Sequence, residues 1–159
     1  MVTVRNAMSR KRRAESGKSE GEMKIQHYKS GKVVEAEMPS DGTLTPEARN
    51  VFMTGQCHSF ALAIASQVAG GVYSKLGPDG KTIVHCFALV FDDNGNEWLV
   101  DAEGKYKYGE LARVRRIPEN YKFRGKGWLK PNVEAATPFA EKRLAEIYAE
   151  DSDCDEDVA

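Results

Sequence analysis

Cys57, His85 and Asp101 are the residues of this chain whose types could carry out a reaction together. A thiolate attacks a carbonyl carbon, an imidazole takes and returns the proton, and a carboxylate fixes the imidazole tautomer. After Cys57 the chain reads His-Ser-Phe-Ala-Leu-Ala-Ile-Ala, which predicts a buried helix that opens on the cysteine. Gly55 lets the chain turn sharply into that helix. A cysteine in a first helical turn feels the positive end of the macrodipole and the free N–H groups there, and both favour thiolate. The competing reading of Cys57 is a small buried hydrophobe. What separates the two readings is whether the other two side chains can reach it.

Both partners are expected on strands. Thr82–Phe91 is apolar on both faces and predicts a central strand carrying His85; Glu97–Ala102 returns as its partner and carries Asp101. Side chains alternate along a strand, so the two residues must share a face. A tight two-residue turn at Asn94-Gly95 would put them on opposite faces. A loop of three or five residues, or a bulge, would put them on one. The triad therefore requires an odd-length loop or a bulge between Phe91 and Trp98.

The remaining elements follow from punctuation. Residues 23–38 predict a hairpin with its turn at Ser30-Gly31. Thr45-Pro46-Glu47-Ala48 has helix-start order and predicts a short helix to about Phe52. The cysteine helix is expected to run to about Val68 and to end at Gly70-Gly71. Val72–Leu76 reads as a strand and Gly77-Pro78-Asp79-Gly80 as a turn. A short helix near Glu110–Arg115, a strand near Tyr121–Phe123 and a last helix from Thr137-Pro138 complete the expectation.

With 159 residues the chain can bury one real core. The division expected is a disordered basic arm over 1–22, a single α+β domain over 23–149 and an acidic disordered tail over 150–159. A net charge of −1 gives no general case for nucleic acid or membrane. No apolar run is long enough for a transmembrane helix, and no apolar stretch follows the basic N-terminus as a secretory signal would require. Three cysteines without CxxC spacing argue against a disulfide framework and for a cytoplasmic setting.

Three stretches taken together resemble a known family. Gly55-Gln56-Cys57-His58 opens an Ala-rich helix, Val84-His85-Cys86-Phe87-Ala88-Leu89-Val90 follows, and then comes Trp98-Leu99-Val100-Asp101-Ala102-Glu103-Gly104. Over about 50 residues this looks like the core of transglutaminase-like proteins in the wider papain-like superfamily. The resemblance implies an α+β fold in which a helix with an N-terminal cysteine packs on an antiparallel β-sheet. It implies a cysteine-dependent amide or ester hydrolase or acyl transferase (peptidase, amidase or deamidase) working through a thioester, without a cofactor, on a peptide or protein. Cys57 would be the nucleophile, His85 the general base and acid, and Asp101 the orienting carboxylate.

The sequence also departs from that pattern. Papain-like proteases carry an oxyanion-hole glutamine several residues before the cysteine; here position 51 is Val and Gln56 is adjacent instead. Many transglutaminase-like proteins use an upstream tryptophan; here Trp98 and Trp128 lie downstream, and Ala102 stands where Pro often follows the aspartate. The Cys57 backbone N–H is thus the one oxyanion donor assigned, with Gln56 and His58 as supporting candidates. Glu103, on the same face as Asp101, is the alternative carboxylate.

Three rival readings stand beside this one. Cys57-His58 and His85-Cys86 are mirrored pairs, but strand neighbours point apart and helix neighbours diverge by about 100°, so no zinc site is expected. Cys86 is expected in the core. Segment 105–130 mixes nine Lys/Arg with aromatics and could contact nucleic acid, or its aromatics belong to the core. Finally, a papain-like fold used only for binding, as in a bacterial-virus or host-interaction factor, would keep the residues without the reaction.

Overall fold

The structure is a computed structural model that describes residues 22–123 and 128–158. Strands β1 (Glu22–Lys29) and β2 (Lys32–Pro39) form a separate two-stranded sheet. Helices α1 (Pro46–Thr54) and α2 (Cys57–Ala65) follow, then β3 (Val72–Leu76), β4 (Ile83–Phe91), β5 (Glu97–Val100), β6 (Lys105–Lys107), β7 (Val114–Arg116) and α3 (Val133–Val158). The second sheet has five antiparallel strands in the order β6-β5-β4-β3-β7, with β4 at its centre. The chain is α+β, as expected.

Local chemistry explains most element boundaries. Ser30 and Gly31 both take positive φ, +55° and +79°, the turn geometry whose twist matches a hairpin. Thr45 caps α1 by accepting the Ala48 N–H through its side chain at 3.1 Å, with Pro46 in the first turn. At the far end the N–H groups of Gly55 and Gln56 both bond the Val51 carbonyl. The chain then passes directly into α2. A Cβ on Gly55 would meet the Tyr28 backbone nitrogen at 2.8 Å, so only glycine lets β1 lie against this junction.

α2 is almost wholly buried. Its small residues Ala61 and Ala63 bring it close to β4, where Cys86, Ala88 and Val90 face the same cluster, and α3 adds Phe139, Ala140, Leu144 and Ile147. The opposite face of the sheet buries Tyr73, Phe87, Leu89 and Leu99 under Tyr106, Leu111 and Val114. Both faces of β4 are therefore covered, which accounts for its unbroken apolar run.

Several expectations do not hold. Residues 110–115 form no helix: Gly109 and Arg113 take φ of +104° and +58°, and β7 instead pairs with the free edge of β3. Tyr121–Phe123 is not a strand. Pro118 cannot donate to a ladder, Tyr121 N–H turns back to its carbonyl at 3.0 Å, and Phe123 is buried. α3 starts four residues before Thr137, because Asn132 caps it with its side-chain oxygen on the Ala135 N–H at 3.1 Å. Pro138 lies inside this helix. The acidic stretch expected as a disordered tail continues α3 to Val158, since extending a formed helix needs no new nucleus. The basic arm, apart from Glu22, lies outside the described residues. No helix among the described residues is long and apolar enough to cross a membrane.

Candidate active site

Register decides whether His85 and Asp101 can meet. β4 and β5 pair Phe91 with Glu97 and Ala88 with Val100, which leaves a five-residue loop, 92–96. That odd length puts His85 and Asp101 on one face. The loop is built around the buried Asp92 carboxylate. It accepts the Asn94 and Asn96 backbone N–H groups at 2.9 Å each and the Trp98 indole N–H at 2.9 Å. Gly95 supplies the positive φ, +84°. A tight turn would have left Asp92 and Trp98 without this arrangement.

His85 Nε2 lies 2.8 Å from Asp101 Oδ2. Asp101 is only 3% exposed, and its second oxygen is also engaged. Oδ1 accepts the backbone N–H groups of Glu103 and Gly104 at 2.9 Å each, with the Tyr106 hydroxyl at 3.4 Å. Arg143 of α3 donates to the Asp101 carbonyl at 3.3 Å. The carboxylate is thus held in one orientation by the chain that follows it. Glu103 contributes its backbone N–H to this arrangement while its side chain is exposed, so the alternative carboxylate is not the one on His85.

Nε2 being occupied, Nδ1 is the ring nitrogen left for the thiol. Cys57 is the first residue of α2, and Gln56 at the cap position makes no side-chain bond to the helix backbone. The positive end of α2 therefore faces the sulfur without a neutralising side chain. The Cys86 thiol donates to the Cys57 sulfur; burial works against charge there, but His58 and then His85 add to the first effect. Together they hold Cys57 well below the usual thiol range. The contact with Cys57 and burial push Cys86 above that range. Burial opposes charge on His85 as well. Hydrogen bonds to Asp101 and Cys57, and attraction to both negative charges, outweigh it and raise His85 from 6.5 to about 9. Both shifts run in the direction of a thiolate on Cys57 and a protonated ring on His85.

The supporting candidates take other roles. Gln56 is buried and its amide is engaged at both ends: Nε2 donates to the Gln26 carbonyl at 2.6 Å, and Oε1 accepts the Ser59 hydroxyl. Ser59 in turn accepts the Asn132 N–H at 2.9 Å. This chain of hydrogen bonds ties β1, α2 and the start of α3 together through Gln56. His58 is fully buried, with Nε2 donating to the Leu129 carbonyl at 2.8 Å and its ring against Phe123 and Trp128. It fastens the segment after residue 127 to α2. His27 is buried in the hairpin, apart from these groups.

The Cys57 side chain opens into a cleft of about 440 Å³ lined by Thr54, Gly55, Lys81, Thr82, Ile83, Val84, Tyr121 and Trp128. Sequence reasoning missed three contributors: Cys86 as a donor to the sulfur, Arg143 behind Asp101, and the aromatic wall. The wall was hidden in the basic segment 105–130. Phe123 and Trp128 stack on His58, Tyr106 on Phe87 and Tyr108 on Tyr73, so these aromatics pack against the fold. Among the described residues no cluster of three or more His, Cys, Asp or Glu is arranged to hold a metal ion. No protein-family model matches the chain, and neither a curated protein nor a solved structure matches it.

Proposed function

We propose that this protein is a cysteine-dependent amide or ester hydrolase or acyl transferase with a papain-like or transglutaminase-like core, acting on a peptide or protein. The observation that carries the reading is the His85 ring between two acids of opposite character. A buried carboxylate holds one nitrogen at 2.8 Å, and a depressed thiol at a helix start meets the ring from the cleft side.

The chemistry follows from these groups. The Cys57 thiolate adds to the carbonyl carbon, and the oxyanion forms beside the Cys57 backbone N–H at the positive end of α2. The His85 imidazolium gives its proton to the departing amine or alkoxide, and the C–N or C–O bond breaks to leave a thioester. Neutral His85 then takes a proton from water or an acceptor amine as it attacks, and the thiolate is released. Asp101 holds the ring in one orientation throughout.

The test is labelling by an electrophile such as iodoacetamide. In a Cys154→Ser background, which removes the third thiol of the chain, Cys57→Ala removes labelling at neutral pH, whereas Cys86→Ala retains it, because Cys86 is a buried thiol with its proton held. Equal labelling of the two variants would sink the assignment.

A further inference from the structure

A second cavity, of about 320 Å³, adjoins the cleft and plays no part in the chemistry above. Its floor is the outer side of α2, Leu62 and Ala65, with Val72, Ile117 and Phe123 around it. Tyr121 lines both this cavity and the Cys57 cleft, and Phe123 stacks on Trp128 with ring centroids 4.9 Å apart. The two spaces thus share Tyr121 on their linings. Arg116 also lines the cavity, and a guanidinium nitrogen lies 2.9 Å from where a Cβ on Gly71 would stand. Arg116 makes no salt bridge among the described residues. Glu119, also on the lining, cancels its formal charge, so recognition of an anion here rests on direct contact with the guanidinium fork rather than on a broad positive field.

We infer that this cavity is the side-chain subsite of the Cys57 reaction, taking one bulky apolar residue of a peptide with a carboxylate beside it on Arg116. The inference rests on the reading of Cys57 as a nucleophile. The size suits one ligand side chain, at the low end of small-ligand pockets. The reach suits a short peptide. Leu62 and Ala65 lie five and eight residues along α2 from Cys57, about 7–12 Å at 1.5 Å per residue. An extended peptide advances about 3.3 Å per residue, so the apolar side chain falls two to four positions from the scissile bond. The carboxylate belongs either to the chain terminus or to an acidic side chain, and the experiment separates these.

Disulfide tethering reads occupancy without needing turnover. Tethers of matching length enter as mixed disulfides with 2-mercaptoethanol; the Cys57 thiolate attacks the tether-side sulfur and releases 2-mercaptoethanol, and added 2-mercaptoethanol then challenges the bond formed. One ends in phenylalanine with a free carboxylate, one in phenylalanine amide, one in phenylalanine followed by glutamate amide, and one in glycine amide. The phenyl tethers are expected to survive about tenfold more mercaptoethanol than the glycine tether, and a carboxylate to add a further several-fold. Ala65→Phe, which fills the cavity, removes the phenyl advantage; Arg116→Gln removes only the carboxylate advantage, which guards against misreading a folding defect. Whichever carboxylate tether is better retained identifies the source. Equal retention of all four on a Cys57 that iodoacetamide labels normally overturns the subsite and leaves the nucleophile standing. Failure of every tether and of iodoacetamide overturns both.

Discussion

Replacing Asp101 by Asn changes one atom type, and the structure says which way the new side chain must turn. Two backbone N–H groups, of Glu103 and Gly104, point at Oδ1 from 2.9 Å and require an acceptor there. The Asn carbonyl oxygen therefore takes that place, and its NH₂ faces His85 Nε2. A donor then opposes the proton that the imidazolium carries on Nε2. The charged form of His85 loses a charge-assisted hydrogen bond, worth about 1.5–3 kcal/mol. At 1.36 kcal/mol per unit this lowers His85 by roughly one to two units. In the wild type the raised value of about 9 means that folding favours the protonated ring, a contribution present below the unfolded value and lost as pH rises through about 9. In Asp101→Asn that loss occurs near pH 7–8 instead. Two measurements read it: the NMR titration of the His85 ring, and the upper inflection of the Cys57 alkylation rate with pH. If the inflection stays near 9 in Asp101→Asn, the carboxylate is not what holds the imidazolium, and the reasoning fails.

Other perturbations separate positioning from reaction. Gln56→Ala leaves the Gln26 carbonyl and the Ser59 hydroxyl without their partner and should cost roughly 2–4 kcal/mol, seen as a lower urea midpoint. The alkylation rate of its folded fraction should match the wild type; a large rate loss would return Gln56 to the reacting groups. In Gly55→Ala a Cβ forced against the Tyr28 backbone should cost about 1–3 kcal/mol, and an unchanged melting temperature would show that the hairpin is not seated there. Removing the Asp92 carboxylate by Asp92→Ala should cost about 1–2 kcal/mol and loosen the loop that sets the β4–β5 register. Hydrogen exchange at Asn94 and Asn96 should rise, and protection equal to the wild type would refute that role.

The sequence made the central strand, the cysteine helix and the first hairpin readable, because each carries its own local signal. β4 is apolar on both faces, α2 has small and apolar residues throughout, and Ser30-Gly31 sits between alternating strands. The requirement for an odd loop between Phe91 and Trp98 was also legible, since strand alternation alone imposes it. How the chain meets that requirement was not: five loop residues around Asp92 depend on an indole N–H two positions beyond the loop. β7 was misread because Val114–Arg116 has little strand character of its own and gains it from the open edge of β3. The contributions of Cys86 and Arg143 come from elements far apart in sequence, and no local pattern announces such meetings. Gln56 was singled out for its place beside Cys57, and its bond to a carbonyl thirty residues earlier could not be read from that neighbourhood.

The two-stranded hairpin shares no ladder with the main sheet, yet its backbone presses on Gly55 and its Gln26 carbonyl takes the Gln56 amide. Where the sulfur stands is thus gauged by a part of the molecule that holds none of Cys57, His85 and Asp101. Trimming the chain back to residue 40 would leave every one of those groups in place and still spoil their alignment, as a lathe loses its cut when the tool rest is unbolted.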